Sequence, residues 1–290
     1  MRSRAVLLLF GSLVLCTMLS CNLSGPAPAP TPNIAAMVQA TLTAMASRQP
    51  PREVPSTATA ALPAQREATF ANVSFQFDPS LAQGATGSSI PAVSASDPNA
   101  PPFAVAPTHI QFSFTGYAHP SRMTPQLEVY PVVEFSQLSP QAKNEIGDLA
   151  KLLSTHDLSA QSLPFLPFQN AGQMMHSQVS FLSFRSGTGV RYLTQYAQAY
   201  VLINNQWIFY TFQGLTSDGK YYLSAVLPVS CTQLSDQDIP TTKAQQDLLM
   251  NHFPSYLATV VPQLDGLGSN QFQPSLEQLD ALVRSLAVTP

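Results

Sequence analysis

Apolar and polar residues alternate along most of the second half of the chain. Gln178–Arg185, Val190–Leu202, Gln206–Gln213 and Lys220–Val229 each read as a strand, and together as a four-strand meander. Ser186-Gly187-Thr188-Gly189, Asn204-Asn205 and Ser217-Asp218-Gly219 separate them. These breaks carry the Gly, Asn and Asp that tight hairpins favour for positive φ. In the last strand, Tyr221, Leu223, Ala225, Leu227 and Val229 share the expected core face. Pro228 lacks a ladder donor, which predicts a sheet edge at that point.

Three earlier segments alternate in the same way. Val73, Phe75 and Phe77 mark a strand over Thr69–Asp78. Ile110, Phe112 and Phe114 mark a second. Leu127, Val129, Val133 and Phe135 mark a third, with Glu128 and Glu134 on its other face. Pro79–Pro107, rich in Gly, Ser, Pro and Ala, reads as one long surface loop.

Helical spacing appears in three places. Ser139 and Pro140 suit the N-cap and first turn of a helix whose stripe is Ala142, Ile146, Leu149, Leu152 and Leu153, ending near Thr155. Leu249, Phe253, Leu257, Val260 and Leu264 keep one face across Pro254, which predicts a kink or two abutting helices. Ser275 and Gln278 form a capping box ahead of Leu276, Leu279, Leu282, Val283 and Leu286. Ser162–Phe168, with prolines at 164 and 167, cannot be helical and is expected to plug the core or line a groove. The expected fold is a single α+β domain over residues 69–290. About seven antiparallel strands, including the meander, pack on helices in two layers.

The first 68 residues differ in kind. Arg2 and Arg4 precede the apolar run Ala5–Leu15, which is too short to cross a bilayer comfortably. Met18-Leu19-Ser20-Cys21 follows and resembles the lipobox of bacterial lipoproteins. The resemblance implies a signal peptide over residues 1–20 and acylation of Cys21, which would anchor the chain on the extracytoplasmic side of a membrane. Residues 21–68 then read as a disordered Pro/Ala/Thr-rich tether with no aromatic side chain. Within it, Asn33 can cap a short amphipathic helix carrying Ile34, Met37, Val38, Leu42 and Met45, marginal on its own. The block from Ser162 to Val229 resembles a domain of uncharacterised exported bacterial lipoproteins. The resemblance rests on Ser162-Leu163-Pro164-Phe165-Leu166-Pro167, Gly189–Tyr196 and Tyr210–Thr216, and it implies no activity.

Charge narrows the function. Charged residues make up only 10% of the chain and the net charge is −3, against about 25% charged in ordinary globular proteins. Without a Lys/Arg cluster, the electrostatic footprint of nucleic-acid binding is missing. The five histidines, His109, His119, His156, His176 and His252, show no metal-ligand spacing. No nucleophile elbow, phosphate loop or dinucleotide fingerprint is present. Ser186–Gly189 has the glycines of a phosphate loop but no following helix. On one straight strand, Glu128 and Glu134 would lie about 20 Å apart, beyond the roughly 5–9.5 Å of a glycosidase pair. Cys231 has no disulfide partner once Cys16 leaves with the signal peptide and Cys21 takes lipid. It reads as a small buried hydrophobe.

No catalytic set, cofactor or metal site emerges. The suggestive constellation is Tyr192, Tyr196 and Tyr200, spaced by four with Thr194 and Gln198 between. One alternative is an exposed aromatic row that stacks on sugar rings or grips a protein. The other is a row that closes the rim of the sheet against a helix. The expected role is a non-catalytic binding module with an envelope protein or a glycan as partner. A structural role in the cell envelope, and an enzyme whose residues meet only in three dimensions, remain as alternatives.

Overall fold

The computed structural model describes residues 65–119, 121–237 and 239–289. The expectations about the signal peptide, Cys21, the tether up to residue 64 and the helix after Asn33 lie outside the described residues.

The chain opens with a hairpin of β1 (Arg66–Phe70) and β2 (Val73–Phe77), turned at Ala71, whose φ is +51°. Val73, Phe75 and Phe77 are buried, as their alternation requires. β1 begins inside the stretch assigned to the tether. Ala68 lies in the core, so the globular part starts earlier than residue 69.

The expected loop over 79–107 contains β3 (Gly84–Ile90), which pairs along its whole length with β4 (His109–Thr115). β3 has no large apolar side chain except Ile90, so alternation could not reveal it. Its backbone is specified by close approach: a Cβ at Gly87 would lie 2.2 Å from Cβ of Phe70.

β5 (Gln126–Pro131) gives way to helix α1 (Val132–Leu138), which corrects the expected third strand. Val133 is exposed and Glu134 lies on the helix, while Phe135 is buried. The strand stops there because its partner does. Pro131 faces Tyr221, the first residue of the neighbouring strand. Helix α2 (Pro140–Thr155) then starts where its signals place it. Ser139 Oγ accepts from the Ala142 N–H at 3.2 Å, and Ala142, Ile146, Leu149 and Leu152 are buried.

The meander is β6 (Gly172–Phe184), β7 (Gly187–Ala197), β8 (Phe209–Thr216) and β9 (Tyr221–Pro228). β10 (Ser230–Cys231) and β11 (Phe272–Gln273) pair as a short ribbon on either side of α3 (Lys243–Asn251) and α4 (Phe253–Asp265). α3 and α4 are the two abutting helices expected around Pro254. α5 (Leu276–Ser285) carries the expected Ser275/Gln278 capping box, and β12 (Ala287–Val288) pairs with β2.

The main sheet is antiparallel, seven strands wide, in the order β3-β4-β5-β9-β8-β7-β6. The count matches the expectation but the membership does not. β3 enters, and the strand near Phe75 joins the separate sheet β1-β2-β12. β9 is central. Pro228 is tolerated because the ladder with β5 reaches only Val226, so no neighbour on that side needs the missing N–H. Helix-on-sheet packing holds on both faces, which adds a layer to the two expected. On one face Phe112, Val129, Leu193, Phe212 and Leu223 pack with the β1–β2 hairpin and α5. On the other, Tyr130, Val190, Tyr192, Phe209 and Tyr222 pack with α2 and the plug Leu163, Phe165 and Leu166. Among the described residues no helix is long and apolar enough to cross a membrane.

Candidate functional site

The link from β7 to β8 departs most from expectation. A tight Asn204-Asn205 hairpin was predicted. Instead β7 stops at Ala197 and β8 starts at Phe209, with a longer connection between them. Buried amides hold this connection in place. Gln195 Nε2 donates to the Leu202 carbonyl (3.0 Å), and its Oε1 accepts from the Asn204 N–H (3.0 Å). Asn205 Nδ2 donates to the Leu234 carbonyl (2.9 Å), while its Oδ1 accepts from the Cys231 N–H (3.0 Å). Tyr256 Oη accepts from the Ile203 N–H at 2.8 Å. A buried amide left unpaired costs about 1–3 kcal/mol, so a paired set of this kind fixes the loop.

This fixed loop presents Trp207 at the mouth of a groove. Ser121 Oγ donates to the Gln206 carbonyl (2.9 Å), and the Arg122 guanidinium lies 5.7 Å from the centre of the Trp207 ring. The opposite wall is the segment 169–171, tied to the end of β7 by Gln198 Nε2 donating to the Asn170 carbonyl at 2.8 Å. Tyr196 and Phe209 form the floor, stacked at 6.2 Å and 22°, with Phe165 4.9 Å from Tyr196. Gln173 Nε2 donates to the Tyr196 hydroxyl at 3.0 Å. Burial, the largest influence, pushes the ionisation of this hydroxyl well above the usual phenol range, so it stays neutral.

The hollow has a volume of about 540 Å³. A second, of about 800 Å³, shares Asn170, Ala171, Ala197 and Gln198 with it, and is bordered by Gln173, Met174, Tyr200 and Met250. Tyr200 is 64% exposed and its ring stacks on Phe253 at 4.3 Å and 17°. Six large apolar side chains are exposed among the described residues. Three of them, Tyr200, Ile239 (70%) and Met250 (80%), gather along this groove. Among the described residues, none that lines either hollow is Asp, Glu, Lys, Arg or His.

The tyrosine constellation is therefore divided. Tyr192 is 0% exposed, and its hydroxyl donates to the Pro164 carbonyl at 2.9 Å. It belongs to the core beside α2 and the plug, and cannot contact a ligand. Tyr196 is half-buried in the groove floor. Tyr200 lies beyond the end of β7, so the spacing by four no longer places it on a strand face. The row is not a single exposed face. Gln198, named between the tyrosines, does line the groove; the residues that tyrosine spacing missed, Trp207 and the amides at 169 and 170, sit on loops without periodicity. The single signal available was the only Trp beside the Asn204-Asn205 break.

Several ionisable groups elsewhere are held by contacts within the fold. Glu128 Oε1 accepts from Gln111 Nε2 at 3.0 Å and lies 3.7 Å from His109 Nε2, in a buried cluster beside Tyr130. Glu145 and Asp148 border a hollow of about 340 Å³ with Lys151, but Glu145 Oε2 accepts from the Phe165 N–H (3.1 Å) and so holds the plug. Cys231 is buried, and burial raises its thiol, which suits a packing role better than a nucleophile. Among the described residues no three His, Cys, Asp or Glu side chains gather to hold a metal ion. Compared with family models, with curated proteins and with solved structures, the chain matches none.

Proposed function

We propose that this chain is a lipid-anchored, extracytoplasmic binding module, held to a membrane through Cys21, whose ligand occupies the groove between Trp207 and Tyr200. The observation that carries the reading is the groove itself. It is a preformed concavity of ligand-binding size, lined by aromatic and amide side chains and walled by a hydrogen-bonded loop. The module is non-catalytic in this reading: among the described residues the lining supplies no acid, base or activated nucleophile, and burial keeps the Tyr196 hydroxyl protonated. The lipobox-like Met18–Cys21 supports the anchor, and the low charge argues against a nucleic-acid partner.

Two measurements test this. Metabolic labelling with an alkyne analogue of palmitate should mark the wild-type chain and not Cys21→Ala; equal labelling of both would refute the anchor. Trp207 is the only Trp, so its emission reports on the groove. Fractions of cell-envelope extract should change that emission in the wild-type chain and leave Ala171→Phe, which sets a bulky ring at the border of both hollows, unchanged. A response identical in both chains would remove the groove as the binding site.

A further inference from the structure

We infer that the groove takes an uncharged oligosaccharide, a chain of neutral sugar rings running from Trp207 past Tyr196 to Tyr200. The inference rests on the groove being the binding site and adds the chemical class of its ligand.

The lining selects by exclusion and by fit. A phosphate, carboxylate or sulfate group would need cationic partners to replace its hydration. Among the described residues the lining contains none, and Arg122, a nearby cation, is engaged over the Trp207 ring. An acyl chain would strip water from Gln169, Asn170 and Gln198 without replacing those hydrogen bonds, a penalty of a few kcal/mol per buried amide. An extended peptide would be gripped best by adding to the free edge of β6, which borders the second hollow at Gly172–Met174. The ladder of β6 shifts register between Gln173 and Met175 and again between Ser177 and Ser180. A bulged edge of that kind breaks the regular spacing that strand addition needs.

A neutral sugar meets each feature. Its rings have a C–H face that packs on an aromatic plane and a rim of hydroxyls that both donate and accept. Tyr196, Trp207 and Tyr200 provide rings along the groove, and the amides between them carry donors and acceptors in pairs. Asn170, Ala171, Ala197 and Gln198 border both hollows, so a ligand that fills the two is a chain rather than a single ring.

The test is a titration of the full chain in detergent with neutral hexasaccharides (gluco-, manno-, xylo- and N-acetylated chito-oligomers), with oligogalacturonate, and with a pool of uncharged decapeptides. Trp207 emission and calorimetric heat are read together, and circular dichroism checks that each variant is folded. A neutral hexasaccharide should shift Trp207 emission saturably and bind more tightly than its disaccharide. Tyr200→Ala should weaken binding by about ten-fold, the scale of one stacked aromatic, and Ala171→Phe should abolish it. Silence from every neutral saccharide at millimolar concentration, with the peptide pool shifting Trp207 emission in wild type but not in Ala171→Phe, would discard the sugar and keep the groove. Binding heat that survives Ala171→Phe would place the sugar elsewhere and overturn the inference. Silence from every probe with folded protein would discard both sugar and groove.

Discussion

Gln213 sits at 0% exposure in the middle of β8, where its polarity has to be met within the protein. Its Oε1 accepts from the Leu166 N–H (3.0 Å) and from the Tyr222 hydroxyl, and its Nε2 donates to Thr211 Oγ1 (2.8 Å) and Ser224 Oγ (3.0 Å). Ser224 Oγ in turn donates to the Leu166 carbonyl at 2.5 Å. One amide therefore fastens the proline-flanked plug to the sheet, and the plug leads directly into the groove wall at 169–171. Gln213→Leu keeps the volume but leaves the Leu166 N–H and the Tyr222 hydroxyl unpaired. Urea unfolding should show a loss of roughly 2–4 kcal/mol, because stranded buried groups cost about 1–3 kcal/mol each. A loss below about 0.5 kcal/mol would mean that water or a rearranged plug replaces the network. Gln213→Glu should cost more than Leu, since it buries a charge with no cation among these partners. Asp280, a buried carboxylate that the fold does accept, has such partners. Arg191 Nε lies at 3.2 Å, Arg284 Nη2 at 3.5 Å and the Tyr210 hydroxyl at 3.0 Å.

Glycines separate what the sequence makes legible at the level of elements from what it hides. Gly219 is a turn glycine as expected: φ is +69° and nothing lies within 4 Å of its missing side chain. Gly187 and Gly189, read as part of a turn, instead lie within β7. A Cβ at Gly189 would be 2.3 Å from Phe212 Cζ and 2.5 Å from the Gln213 carbonyl oxygen. They are there for close packing, and composition alone cannot tell the two uses apart. The substitutions should diverge. At Gly219, Asn should be milder than Ala, because Asn tolerates the left-handed region. At Gly189, Ala should be milder than Asn, at about 1–3 kcal/mol for Ala through overpacking. Chemical denaturation of the four variants settles this, and the same order at both sites would refute the distinction. The same limit explains the other misses. Helix caps such as Ser139 and Ser275 are local chemistry and were readable. β3, with small side chains, and the end of β5, set by where β9 begins, depend on partners distant in sequence. Half of the groove was legible in the same sense. Tyr196 and Tyr200 could be named from spacing, but Trp207 and Asn170 meet them only through buried amides that fix a loop.

At the scale of the whole molecule, low charge makes a few titrations count. His176 on β6 is half-buried, and its Nδ1 lacks a hydrogen-bond partner. Burial lowers its proton affinity below the ordinary value of 6.5, against a smaller opposing pull from Asp265. The unfolded chain thus takes up this proton first. Stability contributed by the neutral imidazole is complete above about pH 6.5 and is lost as pH falls toward the lower folded value. Glu145 and Asp280 have the opposite sign. Burial raises both, so the folded state binds their protons more tightly; the linked stability is complete below the ordinary carboxylate range and is lost as pH rises through the raised folded values. Among the described residues, the groove lining holds no Asp, Glu, Lys, Arg or His, and burial keeps the Tyr196 hydroxyl neutral. Stability and ligand binding should therefore respond differently to acid. Between about pH 7.5 and about pH 5.5, the urea midpoint of the wild-type chain should fall more steeply than that of His176→Gln, while the affinity of a groove ligand measured through Trp207 stays within about two-fold as long as the chain is folded. Equal slopes for the two chains would remove His176 as the source. An affinity that tracks pH in parallel with the midpoint would mean that a titrating group acts on the groove, and the uncharged character on which its ligand class rests would no longer hold.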